Sequence, residues 1–151
     1  QRALDALASM PVRTLVTLGP GLEPADIDAP RGAVVRRWVP HASVLPHAKL
    51  VITHAGHSSV MYAIADADAV PMICLPTGRD QLVNARRVAD CGLGVALEPA
   101  ATVEQIRAAV ADVLAGSVSR SAVEQMARSL HRLCTSELAV NEVEALMSRP
   151  T

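Results

Sequence analysis

The sequence predicts an α/β domain with a parallel β-sheet and helices on both of its faces. Two observations support this fold class. Short runs rich in β-branched and aliphatic residues alternate with longer segments of helical periodicity, and glycine, proline or polar residues separate the two kinds of segment. Strands and helices that alternate at this spacing form right-handed βαβ units, which place helices on both faces of a parallel sheet.

The predicted strands are short, and turn residues close most of them. Residues 13–18 are rich in Val, Leu and Thr and stop at a Gly-Pro-Gly turn. Residues 50–53 are largely apolar on both faces, as in a buried parallel strand. The predicted strands cover residues 13–18, 33–39, 50–53, 72–75 and 94–97.

Helix boundaries are marked by capping signals. Gly92 ends one predicted helix at the position where a C-terminal glycine is favoured. Thr102 and Gln105 form a capping box that begins another, because each side chain can bond to the other's backbone amide. The predicted helices cover residues 1–8, 57–66, 80–91, 102–116, 121–134 and 137–147. These elements together predict one Rossmann-like domain.

Composition excludes several functional classes. A net charge of -1 and one Trp, one Tyr and no Phe give neither a basic field nor an aromatic platform for nucleic acid. The three cysteines lack CxxC spacing, so they predict neither a disulfide framework nor a thiolate zinc site. Without a membrane span or signal pattern in the sequence, we expect a cytoplasmic protein.

Ligands of such sheets bind beyond the carboxyl ends of the strands. The loop at Gly19-Pro20-Gly21 lacks the GxGxxG spacing and a following helix, so it is interpreted as a turn and not as an NAD site. In the loop "THAGHSS", residues 53–59, small residues and Ser58-Ser59 lead into a helix whose N-terminus attracts phosphate. The alternative for this loop is an ordinary serine cap beside a core histidine.

A second polar loop follows the strand at residues 72–75. Asp80 and Gln81 place a carboxylate and an amide at the start of a helix, where they can bind sugar hydroxyls. The alternative is an N-cap by Asp80. Metal is a competing interpretation because His41, His47, His54 and His57 lie close in sequence, but no zinc-binding spacing is present.

Residues 38–81 resemble a known signature when these loops are taken together. "WVPHASVLPHAKLVITHAGHSSVMYAIADADAVPMICLPTGRDQ" is similar to the W-x-P-Q/H…L-x-H…T-H-G-G-x-x-S/T…G-V-P…P…D/E-Q string of family-1 glycosyltransferases. The bacterial branch that acts on macrolides, glycopeptides and glycolipids is the most similar. The resemblance covers nearly the whole chain and implies the C-terminal half of a GT-B fold, which binds the nucleotide-sugar donor.

The resemblance implies a role for each matching residue. Tyr62 stands where many members have a Glu that binds the ribose hydroxyls, and a phenol accepts fewer hydrogen bonds than a carboxylate does. The other matching residues are each expected to bind one part of the donor. The nucleotide base is bound by Trp38, Val39 and His41, the diphosphate by His54, Gly56, Ser58 and Ser59, and the transferred sugar by Asp80 and Gln81.

By the same resemblance, the expected reaction moves a hexosyl group, with inversion, from a UDP- or dTDP-sugar to a hydroxyl of a lipid or natural product. It needs neither metal nor another cofactor. The domain over residues 1–151 is expected to lack its usual first strand and the N-terminal acceptor half, which supplies the general base and any membrane contact. That half then lies in the same or a separate chain. The alternatives are a non-catalytic remnant, a partner-dependent donor-binding subunit, and a GT-B nucleotide-sugar epimerase.

Overall fold

The computed structural model describes residues 1–65, 70–135 and 137–148, which form an α/β fold with parallel strands. Every predicted strand is confirmed, each somewhat shorter than its sequence pattern. The first two strands pair with each other, and the other three form a separate set with the fourth strand at its centre. The strands are β1 (Leu15–Thr17), β2 (Val34–Arg36), β3 (Val51–Thr53), β4 (Met72–Cys74) and β5 (Gly94–Ala96).

The predicted helices are also confirmed within the described residues, although Asp66, the predicted end of one of them, lies outside those residues. The short helix that follows β2 was not predicted, and neither were the 3₁₀ turns at Pro24–Asp26 and Leu45–His47. The helices are α1 (Arg2–Leu7), α2 (His41–Val44), α3 (His57–Ala65), α4 (Gln81–Asp90), α5 (Val103–Leu114), α6 (Arg120–Thr135) and α7 (Leu138–Met147).

Strand β4 lies between two apolar clusters and is the centre of the core. Met72 and Cys74 face a cluster formed with α3, α4 and α6, whereas Ile73 faces a cluster formed with α1 and α5. All three side chains are fully buried, and burial raises the pKa of the Cys74 thiol to about 11. Helices therefore cover both faces of the three-stranded set, as the sequence predicts.

Capping bonds fix the ends of the helices around this core. Gly92 has a φ of 68° and donates to Ala89, and Leu93 donates to Val88, which together form a Schellman motif at the end of α4. At the start of α5, Thr102 Oγ1 accepts from the Gln105 amide at 3.3 Å. Gln105 Oε1 accepts from the Thr102 amide at 2.8 Å, which confirms the capping box.

The two sets of strands differ in how they are covered. In β1 and β2 the first and last residues of each strand, including Leu15 and Val34, are exposed. A parallel strand that is apolar on both faces needs cover on both faces, and in this structure β4 meets that condition. The connection between β2 and β3 contains α2 and the 3₁₀ turn at Leu45–His47, and the two strand sets are not hydrogen-bonded to each other in the described part of the chain.

The last helix carries an apolar surface. Val140, Val143, Leu146 and Met147 of α7 are all exposed. Among the described residues, no helix combines the length and the apolar character needed to cross a lipid bilayer.

Gly94→Ala tests how tightly β5 packs against β4. A Cβ at this position would lie 2.1 Å from the Met72 carbonyl oxygen, which belongs to the backbone of the neighbouring strand. We expect the free energy of unfolding to fall by about 3 kcal/mol because the sheet must deform. The melting midpoint, measured by circular dichroism, is then lowered by roughly 10 °C.

Gly21→Ala is the matched control, since no described atom lies within 4 Å of its Cβ position. Equal midpoints for the two variants would contradict the close packing of β5 on β4.

Candidate functional site

The polar loops predicted from the sequence follow β2, β3 and β4. Because β3 and β4 are parallel neighbours, the loops at their carboxyl ends start at the same edge of the sheet. Leu75, the residue after β4, donates to the Thr53 carbonyl at 2.8 Å, so the two strands remain paired up to the point where the loops begin.

The loop after β3 turns at a non-glycine residue in the left-handed region. Ala55 has a φ of 65° and is fully buried, and its amide donates to Thr53 Oγ1 at 3.2 Å. Helix α3 then begins at His57, so the amides of His57, Ser58 and Ser59 belong to its first turn. Amides of a first turn have no acceptor within the helix, so they are available to an anion.

His54 folds over the start of α3. A Cβ built on Gly56 would lie 2.6 Å from His54 Nε2, so the imidazole occupies the space next to the Gly56 Cα. His54 is also exposed, which shows that the alternative of a core histidine is wrong. An imidazole and the positive end of a helix dipole therefore meet at one solvent-accessible place.

Asp80 precedes α4, but its carboxylate does not cap the helix amides that the structure describes. Asp80 Oδ2 instead accepts a hydrogen bond from Asn84 Nδ2 at 2.9 Å. The same Nδ2 group donates to the Ala55 carbonyl at 3.1 Å. Asp80 therefore occupies the predicted N-cap position without a side-chain capping bond, and its carboxylate is linked through Asn84 to the loop after β3.

Gln81 is held by the loop that precedes it. Its Oε1 accepts from both the amide and the hydroxyl of Thr77, each at 2.8 Å. These two bonds use the acceptor end of the Gln81 amide, so its Nε2 group is directed away from Thr77 as a donor. Asp80 and Gln81 thus present an acceptor and a donor next to each other at the start of α4.

The loop after β2 carries the only Trp of the chain. Trp38 is 75% exposed, so its ring lies at the surface and does not fill the core. Val39 follows it, and His41 begins α2. The rings of His41 and Tyr62 lie 5.0 Å apart and are tilted by 55°, which brings this loop to the outer face of α3.

An open cavity of about 280 Å³ lies along this face of α3. Tyr62, which is 53% exposed, lines it together with His57, Ser58, Met61 and Ala65. Tyr62, the predicted ribose residue, therefore lines one cavity with Ser58, a predicted diphosphate residue, and its ring contacts His41, a predicted base residue. Within the described residues, no group of three or more His, Cys, Asp or Glu side chains is placed to hold a metal ion.

Sequence reasoning missed the residues that hold the predicted groups in place. Asn84 lies four residues after Asp80, and Thr77 lies four residues before Gln81. Side chains four apart on a helix are neighbours, so the spacing between Asp80 and Asn84 was a usable signal. The bond from Asn84 to Ala55, twenty-nine residues away, has no sequence signal of this kind.

Comparison with known proteins identifies the family of this chain. A family model described as "Erythromycin biosynthesis protein CIII-like, C-terminal domain" matches residues 1–146. The chain belongs to this family. The resemblance to the donor-binding half of GT-B glycosyltransferases is thereby confirmed.

Relatives of this EryCIII-like domain are glycosyltransferases. Demethyllactenocin mycarosyltransferase of Streptomyces fradiae is 31% identical over 147 residues, which cover 96% of this chain and 32% of that protein. NDP-glycosyltransferase YjiC of Bacillus subtilis (strain 168) is 31% identical over 139 residues, which cover 91% of this chain and 35% of that protein. The EryCIII-like chain thus spans about a third of the length of these relatives.

Solved structures agree with this fold. The calicheamicin glycosyltransferase CalG4 matches with a TM-score of 0.80 and 32% identity, over 95% of this chain and 38% of that one. The spinosyn rhamnosyltransferase SpnG, complexed with thymidine diphosphate, matches with a TM-score of 0.77 and 26% identity, over 87% of this chain and 36% of that one.

Gly56→Ala tests the position of His54 in the EryCIII-like domain. The added methyl group must displace the imidazole, because Nε2 lies 2.6 Å from the Cβ position. We expect the His54 ring resonances to move in NMR spectra, while the melting midpoint changes little because the displaced group is an exposed side chain. The His47 ring, in the 3₁₀ turn at Leu45–His47, is the internal control. Unmoved His54 resonances would contradict the observed packing.

Proposed function

We propose that this chain is the donor-binding domain of an inverting glycosyltransferase that uses a UDP- or dTDP-sugar. The acceptor in this proposal is a hydroxyl of a lipid or natural product. The observation that carries it is the placement of the His54 imidazole over Gly56 at the first turn of α3. That arrangement offers backbone and side-chain donors to a diphosphate. The relative YjiC is an NDP-glycosyltransferase and SpnG is complexed with thymidine diphosphate, which supports such a ligand.

In the proposed mechanism, the chain stabilises the leaving group. Negative charge grows on the nucleoside diphosphate as the bond to the sugar breaks, and donors fixed in advance lower the free energy of that state. His54 and the first amides of α3 supply these donors, with Ser58 and Ser59 adding hydroxyls. We therefore propose a reaction that requires no metal ion or other cofactor.

The sugar and the base bind on either side of the diphosphate in this proposal. Asp80 accepts from a sugar hydroxyl and Gln81 donates to one, which agrees with the hydrogen bonds that orient both side chains. Trp38 stacks on the base with its exposed ring, while Val39 and His41 contact the base edge or ribose. The general base that deprotonates the acceptor belongs to an acceptor half.

The exposed apolar residues of α7 support an acceptor half in the same or a separate chain. Val140, Val143 and Leu146 recur at helical spacing, as in a helix with one apolar face for a partner. The shares of the relatives that the chain covers, 32% and 35%, are consistent with this proposal.

Thermal unfolding with and without UDP or dTDP tests the proposed donor site. A ligand that binds only the native state raises the melting midpoint by mass action. We expect one of the two nucleotides to raise it. Trp38→Ala should weaken binding about tenfold, since base stacking contributes about 1–3 kcal/mol. His54→Ala should weaken it to a similar extent, because it removes a donor to the charged diphosphate.

His47→Ala is the control for His54→Ala, because His47 is an exposed histidine in the 3₁₀ turn at Leu45–His47. A cooperative transition that neither nucleotide shifts would contradict donor binding and favour a non-catalytic remnant. Binding that survives both test substitutions unchanged would contradict the site assignment.

Tyr62→Glu tests the proposed ribose contact. A carboxylate accepts two hydrogen bonds, and the UDP ribose has two adjacent hydroxyls whereas the dTDP deoxyribose has one. We therefore expect the ratio of UDP affinity to dTDP affinity to rise about fivefold, as one additional hydrogen bond of about 1 kcal/mol predicts. Isothermal titration calorimetry with both nucleotides measures the ratio.

Tyr62→Phe is the matched control because it keeps a ring beside His41 and removes only the hydroxyl group. An unchanged ratio in Tyr62→Glu would place the ribose away from this residue.

A further inference from the structure

Asn84 joins two parts of the proposed donor site through one side-chain amide. Its Nδ2 group carries two hydrogens, and it makes two hydrogen bonds. It donates to the Ala55 carbonyl at 3.1 Å and to Asp80 Oδ2 at 2.9 Å. Ala55 lies in the predicted diphosphate loop, and Asp80 is a predicted sugar ligand. The bond to Asp80 alone is an ordinary contact between side chains four residues apart, but the bond to Ala55 reaches a different loop.

The first bond fixes the backbone of the diphosphate loop. Ala55 has a φ of 65°, a backbone conformation that is unfavourable for any residue with a side chain. Fixed hydrogen-bond partners are needed to maintain this conformation. The Ala55 amide donates to Thr53 Oγ1 and the Ala55 carbonyl accepts from Asn84, so both sides of the residue are held. In a trans peptide the carbonyl and the next amide point in opposite directions. Asn84 therefore sets the direction of the Gly56 N–H.

The second bond fixes the Asp80 carboxylate. With Oδ2 bonded to Asn84, Oδ1 is the oxygen directed to other partners. Thr77 orients the adjacent Gln81 amide in the same way, through its Oε1. The acceptor from Asp80 and the donor from Gln81 thus have defined directions before any sugar binds. Groups held in place in advance lose less entropy on binding a ligand.

We propose that Asn84 is a positioning residue that couples the diphosphate and donor-sugar parts of the site. This rests on the proposed function for the ligand it serves. Loss of the Nδ2 donors frees the Ala55–Gly56 peptide and the Asp80 carboxylate together. Affinity for the nucleotide and the additional affinity contributed by the sugar therefore fall in the same variant.

Calorimetric titration of the full chain with UDP, dTDP, UDP-glucose and dTDP-glucose tests this coupling. In Asn84→Ala we expect the affinity for the nucleotide that binds to fall about tenfold, the equivalent of about one hydrogen bond to a fixed group. We also expect the ratio of nucleotide-sugar affinity to nucleotide affinity to approach one. A residue with a merely structural role would lower the melting midpoint without changing that ratio.

Two further variants separate hydrogen bonding from packing. Asn84→Asp keeps the shape of the side chain and removes its donors, so it should reproduce both losses. Arg86→Ala, at an exposed position on the opposite side of α4, should bind like the unmodified chain. If Asn84→Asp bound all four compounds with unchanged affinities and ratios, the coupling would be overturned.

The Gly56 amide provides a test without any ligand. The chain has eight glycines, whose amide signals lie in a distinct region of a ¹H–¹⁵N NMR spectrum. We expect the Gly56 signal to move in Asn84→Ala and Asn84→Asp, and to stay in place in Arg86→Ala. If the unmodified chain bound none of the four compounds, the proposed function would fail and this signal would still decide the positioning role. An unmoved Gly56 signal in both Asn84 variants overturns it.

Discussion

Complete burial of β4 is the constraint on which the rest of the structure depends. Its three residues face two separate clusters, with Met72 and Cys74 on one side and Ile73 on the other. A strand this short gains its stability from apolar cover on both faces, because burial of aliphatic side chains is the main favourable contribution to folding. Neighbouring β5 must then approach closely, and Gly94 provides the space for the Met72 carbonyl. The position of the adjacent β3 is fixed by the same pairing, so the loops after β3 and β4 begin side by side.

The polar site is stabilised by a small number of side-chain contacts above this core. Ala55 is buried and strained at the point where the chain leaves β3, and Asn84 from α4 bonds to its carbonyl. Strain of this kind persists only where surrounding contacts maintain it. The short Ala side chain fits the buried space, so the loop combines a strained backbone with close packing against α4. The resulting geometry brings His54 over Gly56 and sets the start of α3.

The sequence was sufficient for the strands, for the described helices other than α2, and for the loops that carry the proposed site, and particular residues show why. Gly92 and the Thr102 box marked helix ends because capping depends on local chemistry that a short segment contains in full. The paired loops were predictable because parallel strands expose their carboxyl ends at one edge. The order of the strands was not predicted, since it depends on which strand faces the helices cover. The exposed residues at the ends of β1 and β2 illustrate this dependence.

Other features were beyond sequence reasoning for physical reasons. The positive φ of Ala55 leaves no sequence signal, since only glycine or asparagine marks that conformation reliably. Sequence could not foresee that the Asp80 carboxylate bonds to Asn84 instead of capping α4, because the position of Asn84 depends on how α4 packs. The exposure of Trp38 is also a tertiary property, because the strand that precedes it ends three residues earlier than its sequence pattern.

The contacts divide the proposed site into two parts that substitutions can change separately. The diphosphate loop and Asp80 share Asn84, and both rest on the core around β4. Trp38 follows β2, which belongs to the other set of strands, and His41 connects its loop to α3 through the Tyr62 ring. Under the proposed roles, we therefore expect a change at Tyr62 to act first on the base and ribose, and a change at Asn84 to act on the diphosphate and sugar. The two parts meet on α3, where Tyr62 and Ser58 line the same cavity, so a substitution on this helix is the one expected to affect both.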